Sequence, residues 1–345
     1  MKGEKSMKKT LKYINRAISV LLCVILVMSC LPITTLASSF PHQTANISAS
    51  GENENCVWNY DSETKTLYLD AKTIKGYNSS NGSHPYLPAY TVQSSGSILY
   101  CYTGFEHLVF GKNVEEIVDI ECTRGYYPSL KTIEFEEGSA LKFVGDYTFS
   151  ESSVESVTLP SGVEEIGYSA FASTEIREIT IPASVKKLND FAFSSPKLES
   201  IVFEPRDTMI EYHYAPFAET AITSFDFNEC YFDGDTVPEQ FFTGCGNLTS
   251  VTLTDKITKV GPSAFNSCYS LESFDFGNIV SIGSSAFENT GLTSVEAEKV
   301  TELGDGAFMD CTNLSSVTIP NCTYISSDAF YNCSLLDGFD FSNVE

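Results

Sequence analysis

Basic residues are scarce in this 345-residue sequence, in which 21 Lys and Arg stand against 45 Asp and Glu and the formal net charge is −24. A surface this acidic repels phosphate backbones, so nucleic acid is excluded as a partner. The acidity is consistent with solubility outside the cell, and it also suits a basic or cation-bridged partner. Charge alone leaves these two interpretations open.

Histidine is also scarce, with four residues (42, 84, 107 and 213), none of them near a cysteine in sequence. Zinc sites need Cys and His at short spacing, and the "DGD" at 233–235 lacks the 12-residue ligand pattern of a calcium loop. The phrases "GPSAF" (261–265) and "GSSAF" (283–287) lack the last glycine of a nucleophile elbow. We therefore expect no metal, no cofactor and no catalysis. A surface hydrolase is the remote alternative, because catalytic triads assemble from distant residues.

Long apolar runs are absent apart from one, "AISVLLCVILVMSCLPI" at 17–33, which follows a basic segment and precedes the small residues "TTLASS". This order is typical of a signal peptide, here residues 1–37, and the run is short for a membrane span. A lipoprotein attached through Cys30 is the alternative. We expect a secreted or cell-surface protein of the Gram-positive export type, with no transmembrane segment once the leader is removed.

Removing the leader changes both the charge and the cysteine count. Six basic residues and one acid leave, so 15 basic and 44 acidic residues remain, a net charge of −29. Nine cysteines also remain, at positions 56, 101, 122, 230, 245, 268, 311, 322 and 333. Export permits disulfides, and an odd count leaves at least one thiol unpaired within the chain. The pairing of Cys56, Cys101 and Cys122 stays open.

A period of about 22 residues is the strongest feature that is present. The phenylalanine that ends each x-Ala-Phe phrase recurs at spacings of 22, 22, 24, 25, 23, 22, 21 and 22 residues. The series is Phe149, Phe171, Phe193, Phe217, Phe242, Phe265, Phe287, Phe308 and Phe330. We call these residues the ladder phenylalanines and expect them to lie in the core.

Each repeat carries an alternating apolar segment, often followed by Pro, then V/I-x-x-I/L/V-G and the Ala-Phe phrase. The alternation at Val157, Thr158 and Leu159 has the period of a short strand with one buried face. A unit of this length cannot bury its own apolar face, so the units must stack. We predict a solenoid of parallel short strands, joined in one sheet, with a turn or short helical turn in each coil.

The units "SVTLPSGVEEIGYSAF" (156–171) and "SVTIPNCTYISSDAF" (316–330) resemble the BspA-like class of leucine-rich repeats, which is common in bacterial surface proteins. The resemblance covers residues 105–345. Residues 57–77, "VWNYDSETKTLYLDAKTIKGY", are similar to the hairpin that often precedes such arrays. We therefore assign residues 38–104 to a small β-rich N-terminal region with a hairpin or capping role. The resemblance implies adhesion or another interaction at the surface.

Cysteine recurs three residues after the ladder phenylalanine in four coils, as Cys245, Cys268, Cys311 and Cys333. In these coils the next aliphatic residue comes six residues after the phenylalanine, whereas in the other five it comes after five. A small buried residue that fills the space of a longer loop explains this coupling better than a nucleophile does. Equivalent Cβ atoms in stacked coils would be about 4.8 Å apart, beyond the ~3.8 Å that a disulfide prefers, so we predict reduced thiols.

The outward strand positions are the predicted binding surface, because solenoids present extended faces built from such positions. The residue between the two core positions of each strand, which we call the outward column, is acidic in some coils and mostly Thr in the others. The position before the first core residue of each strand is mostly Ser. We predict a protein or glycan ligand, with few aromatic residues available to stack on sugars. A structural spacer in a larger surface protein is the alternative function. The acidic candidates are Glu134, Asp226, Asp275, Glu296 and Asp340.

Overall fold

The computed structural model describes most of the repeat array and parts of the region before it. The described residues are 49–53, 56–61, 63–75, 91–94, 97–100, 105–118 and 129–337. The predicted signal peptide, Cys30 and Asp340 lie outside them. The described residues contain no helix, and hence none that is long and apolar enough to cross a membrane. The chain divides into two compact units, Met1–Val163 and Glu164–Glu345.

The first unit contains eleven described strands, which alternate with turns. They are β1 (Ala49–Asn53), β2 (Cys56–Asp61), β3 (Thr66–Ala71), β4 (Thr73–Lys75), β5 (Thr91–Ser94), β6 (Ser97–Tyr100), β7 (His107–Phe110), β8 (Glu116–Val118), β9 (Thr132–Phe135), β10 (Phe143–Val144) and β11 (Ser156–Val157).

The second unit contains fourteen described strands, most of them two or three residues long. They are β12 (Glu165–Ile166), β13 (Glu178–Ile181), β14 (Lys187–Leu188), β15 (Ser200–Phe203), β16 (Glu211–Tyr212), β17 (Ser224–Asp226), β18 (Thr236–Val237), β19 (Ser250–Thr252), β20 (Lys259–Val260), β21 (Ser281–Ile282), β22 (Ser294–Glu296), β23 (Glu302–Leu303), β24 (Ser316–Thr318) and β25 (Tyr324–Ile325).

The first unit begins with an antiparallel meander and continues as parallel strands. Strand β2 pairs antiparallel with β1 and β3, so the predicted hairpin is formed by β2 and β3. Strand β3 then pairs in parallel with β7, and β9 and β11 follow in the same sheet. A second parallel set joins β4, β8 and β10, while β5 and β6 form a separate antiparallel pair.

The predicted solenoid of parallel short strands is confirmed, but its strands form more than one sheet, because each coil contributes a second short strand. In the second unit these strands form the sets β12–β14–β16 and β18–β20–β21–β23–β25. They arise from the V/I-x-x-I/L/V-G segments, in which one residue of each pair, such as Ile282 or Leu303, is buried while its neighbour faces outward. Two residues suffice because the bonds between coils continue into the adjoining turns.

The sheet formed by the longer strands is also discontinuous in the second unit. It consists of three separate pairs, β13–β15, β17–β19 and β22–β24. Residues 271–276, which the repeat predicts to be a strand, form none. The rings of Phe274 and Phe276 in this segment contact each other and the ring of Phe287, with centroids 4.9 to 5.3 Å apart.

Backbone hydrogen bonds at the Ala-Phe phrase join each coil of the second unit to the next. In most coils the amides two residues before, at and two residues after the ladder phenylalanine donate to carbonyl groups of the following coil. Around Phe265 these bonds are Ser263 N to Ser284 O at 2.8 Å, Phe265 N to Ala286 O at 2.8 Å and Ser267 N to Glu288 O at 2.9 Å. This turn ladder satisfies amides that the short strands leave unpaired.

Two left-handed residues in most coils make this turn ladder possible. Ser263 and Ser267, on either side of Phe265, have φ of 52° and 61°, and the same two positions have positive φ in most other coils. A left-handed conformation costs a non-glycine residue roughly 1–2 kcal/mol. The cost is offset because the conformation directs alternate amides toward the neighbouring coil.

Stacked phenylalanine rings fill the space inside the turn ladder. Phe287 contacts Phe265 and Phe308 with ring centroids 5.2 and 5.4 Å apart and interplanar angles of 11° and 6°. The ladder phenylalanines are buried, except that Phe330 is half-buried. The glycine before the phrase is required by close approach, since a Cβ atom at Gly304 would lie 2.4 Å from the amide nitrogen of Ser284.

We expect Phe287→Ala to lower the free energy of unfolding by about 3–5 kcal/mol, because it opens a cavity between two rings. Tyr331→Ala is the control, since Tyr331 is 63% exposed and its loss should cost no more than about 0.5 kcal/mol. Urea unfolding of both variants measures the difference. Equal losses would show that the ring stack does not stabilise the fold.

Candidate functional site

The predicted binding residues lie at outward positions where the structure describes them. Glu134 in β9 and Glu296 in β22 are exposed, and Asp226 in β17 is half-buried. The parallel register places Asp226 opposite Thr252 and Glu296 opposite Thr318. Asp275 is exposed but lies in the segment that forms no strand, and Asp340 falls outside the described residues.

Two of these aspartates have local structural roles. Asp226 Oδ1 accepts hydrogen bonds from the backbone N and the side-chain Nδ2 of Asn228, both at 2.8 Å. Asp275 Oδ1 accepts one from the amide of Gly277 at 2.8 Å. These are turn-forming contacts, so replacing either aspartate would also disturb the backbone. Glu134 and Glu296 have no partner of this kind among the described residues, and their carboxylates are available to a ligand.

An open cleft of about 580 Å³ lies on the strand face of the first unit. We call it the β9–β11 cleft. Its lining includes Thr132, Glu134, Glu136, Ser156 and Thr158, so it is polar and acidic.

Two carboxylates that line the β9–β11 cleft, Glu134 in β9 and Glu136 just after it, differ in their hydrogen bonding. Glu136 Oε2 accepts from Tyr68 OH and from the amide of Lys112, both at 3.1 Å. Burial, followed by the charges of Asp70 and Glu136, raises the pKa of Tyr68, so its hydroxyl stays protonated and keeps donating. Glu134, beside Glu136 in the cleft, has no such partner among the described residues.

The four repeated cysteines are free thiols in the structure and are buried. Each Sγ donates to the carbonyl oxygen of the ladder phenylalanine in the preceding coil. The four distances are Cys245 to Phe217 at 3.2 Å, Cys268 to Phe242 at 3.3 Å, Cys311 to Phe287 at 3.0 Å and Cys333 to Phe308 at 3.1 Å. The thiols therefore form directional contacts between coils as well as filling space.

Threonine occupies the same position in shorter coils and bonds differently. The hydroxyls of Thr220 and Thr290 donate to the phenylalanine carbonyl of their own coil, each at 2.9 Å. Each hydroxyl also lies 3.2 Å from a cysteine Sγ of the next coil, that of Cys245 or Cys311. Coils with the longer loop thus have a cysteine that bonds to the preceding coil, whereas these threonines in coils with the shorter loop bond within their own coil. The coupling of loop length and cysteine revealed this position, but not its hydrogen bond.

Burial makes these thiols poor nucleophiles. It raises the pKa of the Cys245 thiol to about 11 and that of Cys333 to about 12. Burial and the neighbouring Cys245 also raise the pKa of Cys268 well above its ordinary range. A thiolate is needed for nucleophilic attack or metal binding, and these environments disfavour it. No group of three or more His, Cys, Asp or Glu in the described part of the chain is arranged to hold a metal ion.

The structure describes the thiols of two of the remaining five cysteines outside the leader. Cys230 and Cys322 are also buried and free. The side chains of Cys56, Cys101 and Cys122 lie outside what the structure describes, so their pairing remains a prediction without a choice of partners.

Sequence patterns missed the aromatic cluster that replaces the regular core around residues 203–242. Phe217, Phe225 and Phe241 contact one another with centroids 5.5 to 5.8 Å apart. Beside this cluster the Arg206 guanidinium donates to the carbonyls of Ile181, Pro182 and Val185 of an earlier coil, at 2.7 to 3.0 Å. The density of Phe and Tyr in "FDFNECYF" (225–232) was the available signal.

Short parallel strands, stacked rings and a repeated turn ladder define a class of protein, the leucine-rich repeat solenoid, here with about nine coils of about 23 residues. The family described as "BspA type Leucine rich repeat region" matches residues 118–232 and 235–345, with six copies of the repeat. The match covers more than half of the chain, so the chain belongs to this family. The resemblance drawn from the repeat sequence is confirmed.

Three solved structures from bacteria match the chain at low sequence identity. A leucine-rich repeat protein from Eubacterium ventriosum is 16% identical over 86% of this chain and 92% of that one, with a TM-score of 0.47. A leucine rich cell surface protein from Faecalibacterium prausnitzii is 18% identical over 86% and 94%, with a TM-score of 0.41. The pneumococcal vaccine antigen PcpA is 16% identical over 81% and 87%, with a TM-score of 0.45. No curated protein sequence matches the chain.

We expect Cys245, Cys268 and Cys311 to resist alkylation in the folded protein and to react fully after unfolding, because their thiols are buried and protonated. Mass spectrometry of alkylated native protein measures both the modification and any crosslink. A disulfide between Cys245 and Cys268, or between Cys311 and Cys333, would contradict the assignment.

The buried Cys245 thiol should also make stability depend on pH. Its pKa rises from 9.0 to about 11 on folding, so the unfolded chain loses this proton first and stability falls as pH rises between these values. We expect Cys245→Ser, which cannot ionise there, to gain stability relative to wild type over the same interval. Urea midpoints at pH 8 and pH 11 measure the change, and a constant difference would contradict the burial of the thiol.

Proposed function

We propose that this chain is a secreted or cell-surface repeat protein that binds a partner protein through its strand face and performs no catalysis. The basic and apolar leader pattern at residues 1–37 supports export. Family membership supports a repeat scaffold, and scaffolds of this type present extended faces.

The observation that carries the proposal is the β9–β11 cleft, in which a carboxylate without a described partner lies among small polar side chains. Glu134 is the candidate anchor, and Thr132, Ser156 and Thr158 offer hydroxyl groups around it. Such groups suit the polar backbone and basic side chains of a protein. A glycan ligand is less well supported, because the lining contains a single aromatic residue, Phe135, to stack on a sugar ring.

A spacer is the second candidate function, and one observation favours it. The turn ladder and the ring stack hold adjoining coils of the second unit together without any contribution from outward strand positions. A protein that served only as an extended spacer would need these contacts between coils but would need no ligand-binding site.

A binding screen separates these functions. The chain after Ala37 is tested against immobilised mucin, collagen, fibronectin and fibrinogen. We expect at least one protein to bind and Glu134→Lys to weaken it about tenfold, a change of roughly 1.4 kcal/mol, by reversing an anchoring charge. Glu298→Lys is the matched control, because Glu298 is exposed but lies outside the strands.

Three outcomes decide the question. Binding that depends on Glu134 but not on Glu298 supports the strand face. Equal losses in the two variants would indicate attraction to the acidic surface as a whole. Absence of binding to every probe favours the spacer.

A further inference from the structure

A second surface of the chain combines aromatic rings with carboxylates. In the turns of three successive coils, Tyr168, Phe191 and Tyr214 are half-buried and in contact. Asp190, Glu211 and His213 adjoin these rings in sequence. We call these six residues the turn-face patch. All of them belong to the second unit, and none occupies the outward column of the longer strands.

The repeat does not require aromatic residues at these positions. Two residues before the ladder phenylalanine, most other coils carry a small or polar residue, such as Ser169, Ser263 or Ser285, whereas this coil carries Phe191 and the coil of Phe149 carries Tyr147. Phe191 has φ of 55°, a left-handed conformation that is unfavourable for a bulky residue. Tyr168 and Tyr214 lie three residues before their ladder phenylalanines, where other coils have Pro262, Ser284 and Asp305.

The three rings form one continuous group. The centroids of Tyr168 and Phe191 are 5.9 Å apart at 70°, and those of Phe191 and Tyr214 are 5.3 Å apart at 74°. Edge-to-face contact leaves part of each ring face uncovered, consistent with their intermediate burial. The negative faces of aromatic rings attract cations.

His213 lies between two carboxylates beside these rings. Its Nε2 lies 2.9 Å from Glu211 Oε1, and its Nδ1 lies 3.5 Å from Asp190 Oδ1. Asp190 Oδ1 also accepts from the amide of Tyr214 at 3.1 Å. His213 replaces the glycine that precedes the phrase in coils such as those with Gly261 and Gly283. A side chain has therefore been added where those coils have none.

The neighbouring cations of the protein are already paired elsewhere. Lys186 pairs with Glu164, and Lys187 pairs with Glu165 at 3.2 Å. In the described part of the chain no Lys or Arg forms an ion pair with Asp190 or Glu211. Glu211 is the more open of the two, with 68% of its side chain exposed. Apart from His213, the carboxylates of the turn-face patch therefore have no basic side chain paired with them among the described residues.

Elsewhere in the second unit, an arginine of the protein itself lies against an aromatic ring and donates hydrogen bonds to oxygen atoms. The Arg206 guanidinium lies 5.3 Å from the ring centroid of Tyr231 while it donates to backbone carbonyls. Arginine suits such sites because its planar group stacks on a ring and donates in the same plane, whereas a lysine ammonium is a compact, strongly hydrated charge.

We propose that the turn-face patch binds an arginine side chain of a partner polypeptide. The guanidinium lies against the rings of Phe191 and its neighbours and donates to the carboxylates of Asp190 and Glu211. This site is separate from the strand face, and its test does not depend on the role of Glu134.

The test uses fluorescent hexa-arginine and hexa-lysine peptides with the chain after Ala37, at physiological ionic strength. We expect hexa-arginine to bind about tenfold more tightly than hexa-lysine, because stacking and bidentate donation favour guanidinium. Phe191→Ser should remove this preference, and it keeps a residue found at the same position as Ser169 and Ser263. Circular dichroism and urea unfolding check that the variant folds.

Matched variants separate the site from general charge attraction. We expect the Asp190→Asn and Glu211→Gln pair to lower affinity for hexa-arginine about tenfold. A second pair, Asp328→Asn and Glu298→Gln, makes the same charge change at exposed positions outside the patch and should have little effect. Tyr331→Ser is the control for loss of an exposed aromatic ring. Glu134→Lys should not change the arginine preference.

Several results would overturn the proposal. Equal affinity for the two peptides, or equal losses in the patch and control pairs, would reduce the patch to a part of the acidic surface. Binding of chitohexaose that Phe191→Ser abolishes, without any preference for arginine, would identify a glycan site in its place.

Discussion

The hydrogen bond from the ladder phenylalanine amide to the next coil, present in most coils, is the constraint on which the second unit depends. Phe265 N donates to Ala286 O and Phe287 N donates to Ala307 O, both at 2.8 Å. These bonds set the distance between adjacent coils so that their phenylalanine rings can stack. The ring centroids of Phe265 and Phe287 are 5.2 Å apart. The bonds are also consistent with the buried alanine that precedes the phenylalanine in six of the nine coils, such as Ala286, because a small side chain fits between adjacent coils.

The cysteine contacts follow from the same arrangement. The carbonyl of Phe242 accepts the amide of Cys245 at 3.0 Å within its own coil, and the thiol of Cys268 approaches the same oxygen from the next coil. The most reactive side chains of the repeat thus serve to join coils, and burial keeps them protonated. Any recognition by this protein is left to its surfaces, where carboxylates greatly outnumber cations.

Several features could be predicted from sequence because they repeat in register. The buried ladder phenylalanines and the buried position of Cys268 follow from spacing alone, since equivalent residues in stacked coils share one environment. The second set of strands was missed because its two-residue segments, such as Ser281–Ile282, are too short to show alternation. The turn-face patch was also missed, although Tyr168, Phe191 and Tyr214 recur every 23 residues. Tyr168 and Tyr214 lie three residues before their ladder phenylalanines and Phe191 lies two residues before its own, so the three rings do not share one repeat position.

The sequence by itself determined the repeat, its period and the identity of the core residues that recur in each coil, because a unit of this length must bury its apolar residues against its neighbours. It also determined the acidic character of the surface. Only the tertiary structure decided that residues 271–276 form no strand, that Asp226 and Asp275 are engaged in turns, and that Glu134 has no described partner. These outcomes depend on contacts between residues of different coils and on local backbone geometry, which a linear pattern does not contain.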